Sequence, residues 1–223
     1  MGRNDLCFSI GGTGDSTFTL NMANQAPLSR TGFLLVGGKS SRMGVDKAFL
    51  KFDGQTLLDR ALGVLKTACG SVTIVGDPAV FAKSGSAIAD VFPGCGPLAG
   101  IHAALAASAA ELNAILAVDM PFVPVELMAF LLAAAEDSRA IVTIPRTRAG
   151  YQPLCAVYRR DFASTAEQAL RAGKYKIDAA FAGGRRRVVE EPELLAAGFS
   201  EKNFLNINTP EDHRAAGGQS RQG

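Results

Sequence analysis

The sequence predicts an α/β protein built on a doubly wound, mostly parallel central sheet with helices on both faces, and three observations carry that prediction. Short apolar runs without polar alternation, Phe33 to Val36, Val72 to Val75 and Ala114 to Val118, read as strands buried on both faces. Segments of helical spacing separate them, and strand–helix alternation implies parallel pairing through right-handed crossovers. The runs end in Gly or Asp, residues that stop a strand and begin a loop.

In chain order, the first strand opens into a loop rich in Gly and cations, GGKSSRMGVDK (Gly37 to Lys47). Leu57, Leu58, Ala61, Leu62 and Leu65 then share one helical face, closed by Gly70. After the strand Val72 to Val75, a short one near Ala87 to Ala89 ends at Asp90, and a Gly/Pro-rich loop (Val91 to Pro97) enters a helix from Leu98 to about Ala109. The strand Ala114 to Val118 ends at Asp119-Met120-Pro121, and Pro124 suits the start of a helix reaching about Glu136. Ala140 to Ile144 and Pro153 to Tyr158 read as strands around a turn-rich Arg146 to Gly150, and Asp161 to Ala172 as a helix. Val188 to Glu190 and Phe204 to Ile207 are expected as short strands, with Thr209 capping a terminal helix. This places one domain over residues 31–216, a nucleotide-binding half (31–137) and an acceptor-binding half (138–216), between a loosely docked or disordered extension (1–30) and a frayed tail (217–223).

Composition narrows the function. A chain of 223 residues with 48% apolar and 20% charged residues is that of an ordinary globular protein. A net charge of +2 is too small for a sequence-independent nucleic-acid binder, so no nucleic-acid partner is expected, and the Arg185-Arg186-Arg187 cluster reads as a solvated loop. No apolar run suits a membrane span. Cys7, Cys69, Cys95 and Cys155 have no metal-site spacing and read as reduced thiols of a cytoplasmic protein.

The loop after the first strand carries the chemistry. Gly37 and Gly38 can take positive φ and bring bare backbone N–H groups to a ligand, while Lys39, Arg42 and Lys47 add charge. A phosphate-bearing guest fits, although neither the Walker A spacing nor G-x-G-x-x-G is present here. Gly94 to Ala99 matches the latter formally, but Pro93 and Pro97 suit a stiff loop better, and no G-x-S-x-G exists for Ser-His hydrolysis. His102 and His213 read as structural or exposed. On a doubly wound sheet ligands lie at the carboxyl ends of strands, so the Gly37 loop, Gly76-Asp77, Asp90 and Asp119 should line one cleft. Asp119 can hold Mg²⁺ against phosphate oxygens, with Asp90 as second acid and Lys47 as the cation on the phosphates. Strand-end Asp residues also cap following turns, and Lys47 could snorkel at a helix start, so both uses stay open at this stage.

Four ordered blocks, LVGGKSSRMGVDKAFL (from Leu35), PGCGPLAGI (from Pro93), AVDMPFV (from Ala117) and NINTPED (from Asn206), resemble the molybdenum cofactor guanylyltransferases, the MobA family, within the nucleotidyltransferases of Rossmann-like fold. The resemblance runs from about Phe33 to Arg214. It implies transfer of GMP from GTP to molybdenum-bearing molybdopterin, with release of pyrophosphate and Mg²⁺ as cofactor. It further implies that Leu35, Val36, Gly37 and Gly38 meet the nucleotide, that Lys47 and Arg42 meet its phosphates, and that Asp90 contacts the nucleoside. Asp119 would hold Mg²⁺ and GTP, and Asn206 and Asn208 would receive the pterin. Val36 stands where the family usually has Ala, and the family's further nucleotide contact after the second strand would fall near Gly76 or Asp77. Molybdoenzyme chaperones or other cofactor-biosynthesis proteins are the implied protein partners. The competing readings are a cytidylyl or sugar-phosphate sibling, a GTP-binding module without turnover, and an interaction scaffold.

Overall fold

The computed structural model describes residues 28–36, 47–181 and 184–207. The expected terminal helix from Thr209, residues 1–27 of the N-terminal extension and the C-terminal tail lie outside the described residues; Arg30, placed in the extension by the sequence, instead opens the first strand.

Strands β1 (Arg30–Leu35), β4 (Val72–Val75), β5 (Ala87–Ile88), β6 (Leu112–Ala117), β7 (Val142–Thr147), β9 (Cys155–Arg159) and β10 (Arg186–Glu190) form the sheet in the order β10-β7-β9-β6-β1-β4-β5. A two-residue strand β8 (Gly150–Tyr151) hairpins onto β7, and β2 (Lys51–Phe52) pairs with β3 (Gln55–Thr56) apart from the sheet. β1 is parallel to both β4 and β6, whereas β9 runs antiparallel to β6 and β7. The sheet is therefore mostly parallel, as expected, with β9 and the two-residue β8 reversed among the described strands.

Helices α1 (Leu57–Cys69), α2 (Pro78–Phe81), α3 (Pro97–Ala107), α4 (Val125–Glu136), α5 (Phe162–Arg171), α6 (Ile177–Phe181) and α7 (Glu191–Ala196) complete the layers. Side-chain alternation along β1 sorts the core into two clusters. Leu34 and Val36 join Leu58, Leu65 and Leu131 from α1 and α4 on one face. Phe33 and Leu35 join Ile101, Phe162 and Phe181 from α3, α5 and α6 on the other. Thr56 caps α1 by accepting the Asp59 N–H at 3.0 Å, and Gly70 closes it with φ 79°, its own N–H reaching the Lys66 carbonyl at 2.8 Å.

Three expectations are corrected. Arg186 and Arg187 open strand β10 rather than a loop, because residues 186 to 190 pair in register with 142 to 146 of β7. β7 likewise extends through Arg146 and Thr147, confining the turn to the β7–β8 hairpin. Residues 204 to 207 form no strand: Glu201–Phe204 is a 3₁₀ turn whose capping box joins Ser200 and Asn203. Phe204 and Ile207 are buried while Leu205 and Asn206 are exposed, a spacing of one turn and not the alternation of a strand.

Candidate nucleotide site

Strand order reverses at β1: the chain proceeds from β1 to β4 and β5 on one side, then returns to β6 on the other. A ligand crevice is expected outside the carboxyl ends at such a switch point. The end of β1 is tied to both neighbours, since the Val118 N–H beyond β6 donates to the Leu35 carbonyl at 3.1 Å and the Val36 N–H to the Val75 carbonyl of β4 at 3.1 Å. Asp119 sits immediately beyond, on a turn in which Met120 N–H returns to the Ala117 carbonyl.

Lys47, 72 residues away in sequence, places its Nζ 2.9 Å from Asp119 Oδ2. Both side chains are about one-fifth exposed (20% and 23%), so the pair is partly open to solvent. Among the described residues Asp119 Oδ1 accepts no hydrogen bond and no cluster of three metal-binding side chains occurs. One carboxylate with an open oxygen suits a hard divalent cation completed by water and phosphate.

Asp90 and Asp77 behave otherwise. The Asp90 Oδ1 accepts the Phe92 N–H at 2.9 Å. Burial holds its carboxyl above the usual range, against the opposing pull of that N–H and of His102. Asp77 caps α2 by accepting the Ala79 N–H at 2.9 Å. Of the pair Gly76-Asp77, the acid is thus engaged by its own helix.

Asn206 is exposed, and the neighbouring Ile207 N–H donates to the Asp119 carbonyl at 2.9 Å. The Asn203 side chain fixes the same segment, donating to the Phe122 carbonyl at 3.2 Å and accepting the Ser200 N–H at 2.8 Å. The C-terminal block is thereby clasped to the turn that carries Asp119. Asn203 and Ile207 are not among the sequence-predicted site residues; the signal was the position of Ile207 inside the NINTPED block and of Asn203 three residues before it. Leu35 and Val36 are buried, their side chains packed into the cores on opposite faces of the sheet. Gly37, Gly38, Arg42 and Asn208 lie outside the described residues.

His102 is buried with its ring edge-on to Phe92 at 5.2 Å, in keeping with a structural role. Cys69, Cys95 and Cys155 are free; burial pushes the Cys69 thiol up to about 11 and Cys155 up to about 12, leaving both unreactive at neutral pH. No described helix is long and apolar enough to cross a membrane.

This arrangement defines an α/β protein whose strand order reverses at β1, with Lys47 and Asp119 paired just beyond the end of β6. Residues 32–191 match the MobA-like NTP transferase domain, and the chain belongs to that family. It is 36% identical over 190 residues to a probable molybdenum cofactor guanylyltransferase of Pelotomaculum thermopropionicum, covering 83% of this chain and 90% of the relative. A molybdenum cofactor guanylyltransferase of Desulfosudis oleivorans is 35% identical over 185 residues, covering 82% and 91%. Among solved structures, molybdopterin-guanine dinucleotide biosynthesis protein A from Archaeoglobus fulgidus superposes with TM-score 0.74 at 27% identity, covering 86% of this chain and all of that one.

Proposed function

We propose that this nucleotidyltransferase moves GMP from GTP to molybdenum-bearing molybdopterin, forming the guanine dinucleotide cofactor and releasing pyrophosphate. A terminal phosphate oxygen of the pterin attacks the α-phosphorus of GTP; a new P–O bond forms there, the bond to the β-phosphate oxygen breaks, and pyrophosphate leaves with that electron pair. The observation that carries the reading is the Lys47–Asp119 contact at the switch point, in a chain at least 35% identical to two guanylyltransferases.

Lys47 leaves Asp119 to neutralise charge that builds on the phosphates, and Arg42 is assigned the same task from its place in the sequence block. Asp119 holds a divalent cation, which we assign as Mg²⁺; when bound, the ion draws charge from the phosphate oxygens. Positioning and charge compensation supply most of the catalysis in such transfers. Asp90 faces the nucleoside. Asn206 and Asn208 receive the pterin. We assign the protein to the cytoplasm, handing its product to molybdoenzyme chaperones, with neither membrane nor nucleic acid as partner.

Pyrophosphate release from GTP, CTP and ATP, with and without molybdopterin and Mg²⁺, tests the proposal. Release from GTP dependent on the pterin is expected. Release from CTP alone assigns the chain to a cytidylyl activity, and GTP binding without release makes it a sensor.

A further inference from the structure

Gly76 follows β4 directly and stands beside the end of β1. Its φ lies outside the left-handed region, so backbone conformation does not demand glycine there. Space does. A Cβ at this position would lie closer than 3.0 Å to Val36 Cγ2, a separation real Cβ atoms essentially never show, and 3.2 Å from two ring carbons of Phe81.

Neither neighbour can recoil freely. Val36 is 4% exposed and its N–H is held by the Val75 carbonyl. Phe81 is 1% exposed and stacks on Phe49, with ring centroids 5.9 Å apart and planes 15° from parallel. Phe49 lies two residues after Lys47. One missing side chain therefore underlies two parts of the site: the end of β1, and the segment that delivers Lys47 to Asp119.

We infer that Gly76 is a positioning residue of the nucleotide site, its bare Cα providing the room in which Val36 and Phe81 settle and so fixing the end of β1 relative to Lys47. The inference rests on the proposed nucleotide site and adds a residue to it. Val36 and Gly76 are a size-matched pair. Bulk added at one is accommodated by bulk removed at the other, because close-packed neighbours share one volume.

The test uses the full chain as wild type, Gly76→Ala, Val36→Ala and the double variant. Each is titrated with GTP and, in parallel, CTP in the presence of MgCl₂, well below its melting temperature so that loss of folded protein does not enter. Gly76→Ala is expected to weaken nucleotide binding about tenfold, the range typical of coupled neighbours, and Val36→Ala in the double variant to recover most of that loss. Should Gly76→Ala alone fail to fold, Val36→Ala carries the comparison: it leaves a void that the added methyl fills, so the double variant must bind more tightly than Val36→Ala. A folded Gly76→Ala protein that binds as wild type does overturns the inference, as does a double variant no tighter than the folded single variants. Wild type that binds CTP and not GTP overturns the guanylyl reading alone, since the variants are then compared with CTP.

Discussion

Asp119 and Asp90 both follow short strands of one sheet at its carboxyl edge, yet the molecule uses them differently. The carboxylate after β6 reaches a cation brought from 72 residues away, and among the described residues its second oxygen accepts no hydrogen bond. The one after β5 accepts a backbone N–H only two residues ahead, and burial makes its charge costly. The difference lies in position relative to the strand-order reversal. β6 borders β1 at the switch point, where Lys47 meets Asp119, whereas β5 is the outermost described strand and its acid accepts the N–H of its own turn. A strand-end acid becomes electrostatic machinery where the topology brings a cation to it.

The comparison breaks most easily at Asp119. Asp119→Ala is expected to lower kcat by about a hundredfold to a thousandfold, or about 3 to 4 kcal/mol, the usual loss for one oriented charge-stabilising group. Near-normal pyrophosphate release in that variant would remove Asp119 from the chemistry. Lys47→Ala should cost about a hundredfold in kcat/KM. Its stability should change by no more than about 1 kcal/mol, because the pair is partly exposed and such bridges contribute little to folding. A large fall in melting temperature with unchanged turnover would make the bridge structural.

The clasp behind Asp119 gives a smaller effect. Asn203→Ala removes the hydrogen bonds to Phe122 and Ser200, and at about 1 kcal/mol for each it should lose about 2 kcal/mol of stability in denaturant melts. KM for the pterin acceptor should rise more than KM for GTP, since the clasped segment carries Asn206. Equal changes in both would show that the clasp supports the whole crevice.

How much of this was legible beforehand depends on the range of the interaction. β1, α1 and β4 follow from local apolar spacing and from Gly70, so the sequence places them closely. Asp119 was legible because a buried run, an acid and a Met-Pro stop occur together. The reversal of β9 was not, because an apolar run such as Cys155 to Tyr158 does not encode its direction. Arg186 and Arg187 looked like loop residues because charge masks an edge strand whose pairing with β7 is set by tertiary contact. Phe204 to Ile207 reads as a short strand from its apolar ends, yet their three-residue spacing and the Ser200–Asn203 capping box mark a turn. The Val36–Gly76 fit could not be read at all, since it joins two strand ends through volume alone.

The smallest expected effect isolates Asp90. Burial raises its folded-state pKa above the ordinary carboxylate value of 3.8, so the native state binds a proton more tightly than the unfolded chain does. Its stabilising contribution is therefore fully present below the unfolded value and is lost as pH rises through the raised one, the reverse of a salt-bridged acid. Asp90→Asn stays uncharged and keeps an oxygen able to accept the Phe92 N–H, so the variant should gain on wild type as pH rises across that window. Chemical denaturation at a series of pH values reads the difference directly. If the gap between the two proteins widens as pH falls, the Phe92 N–H and His102 outweigh burial. If the gap widens as pH rises while GTP binding weakens in the variant, the site accepts the cost of a half-buried charge at the sheet edge for the sake of nucleoside contact.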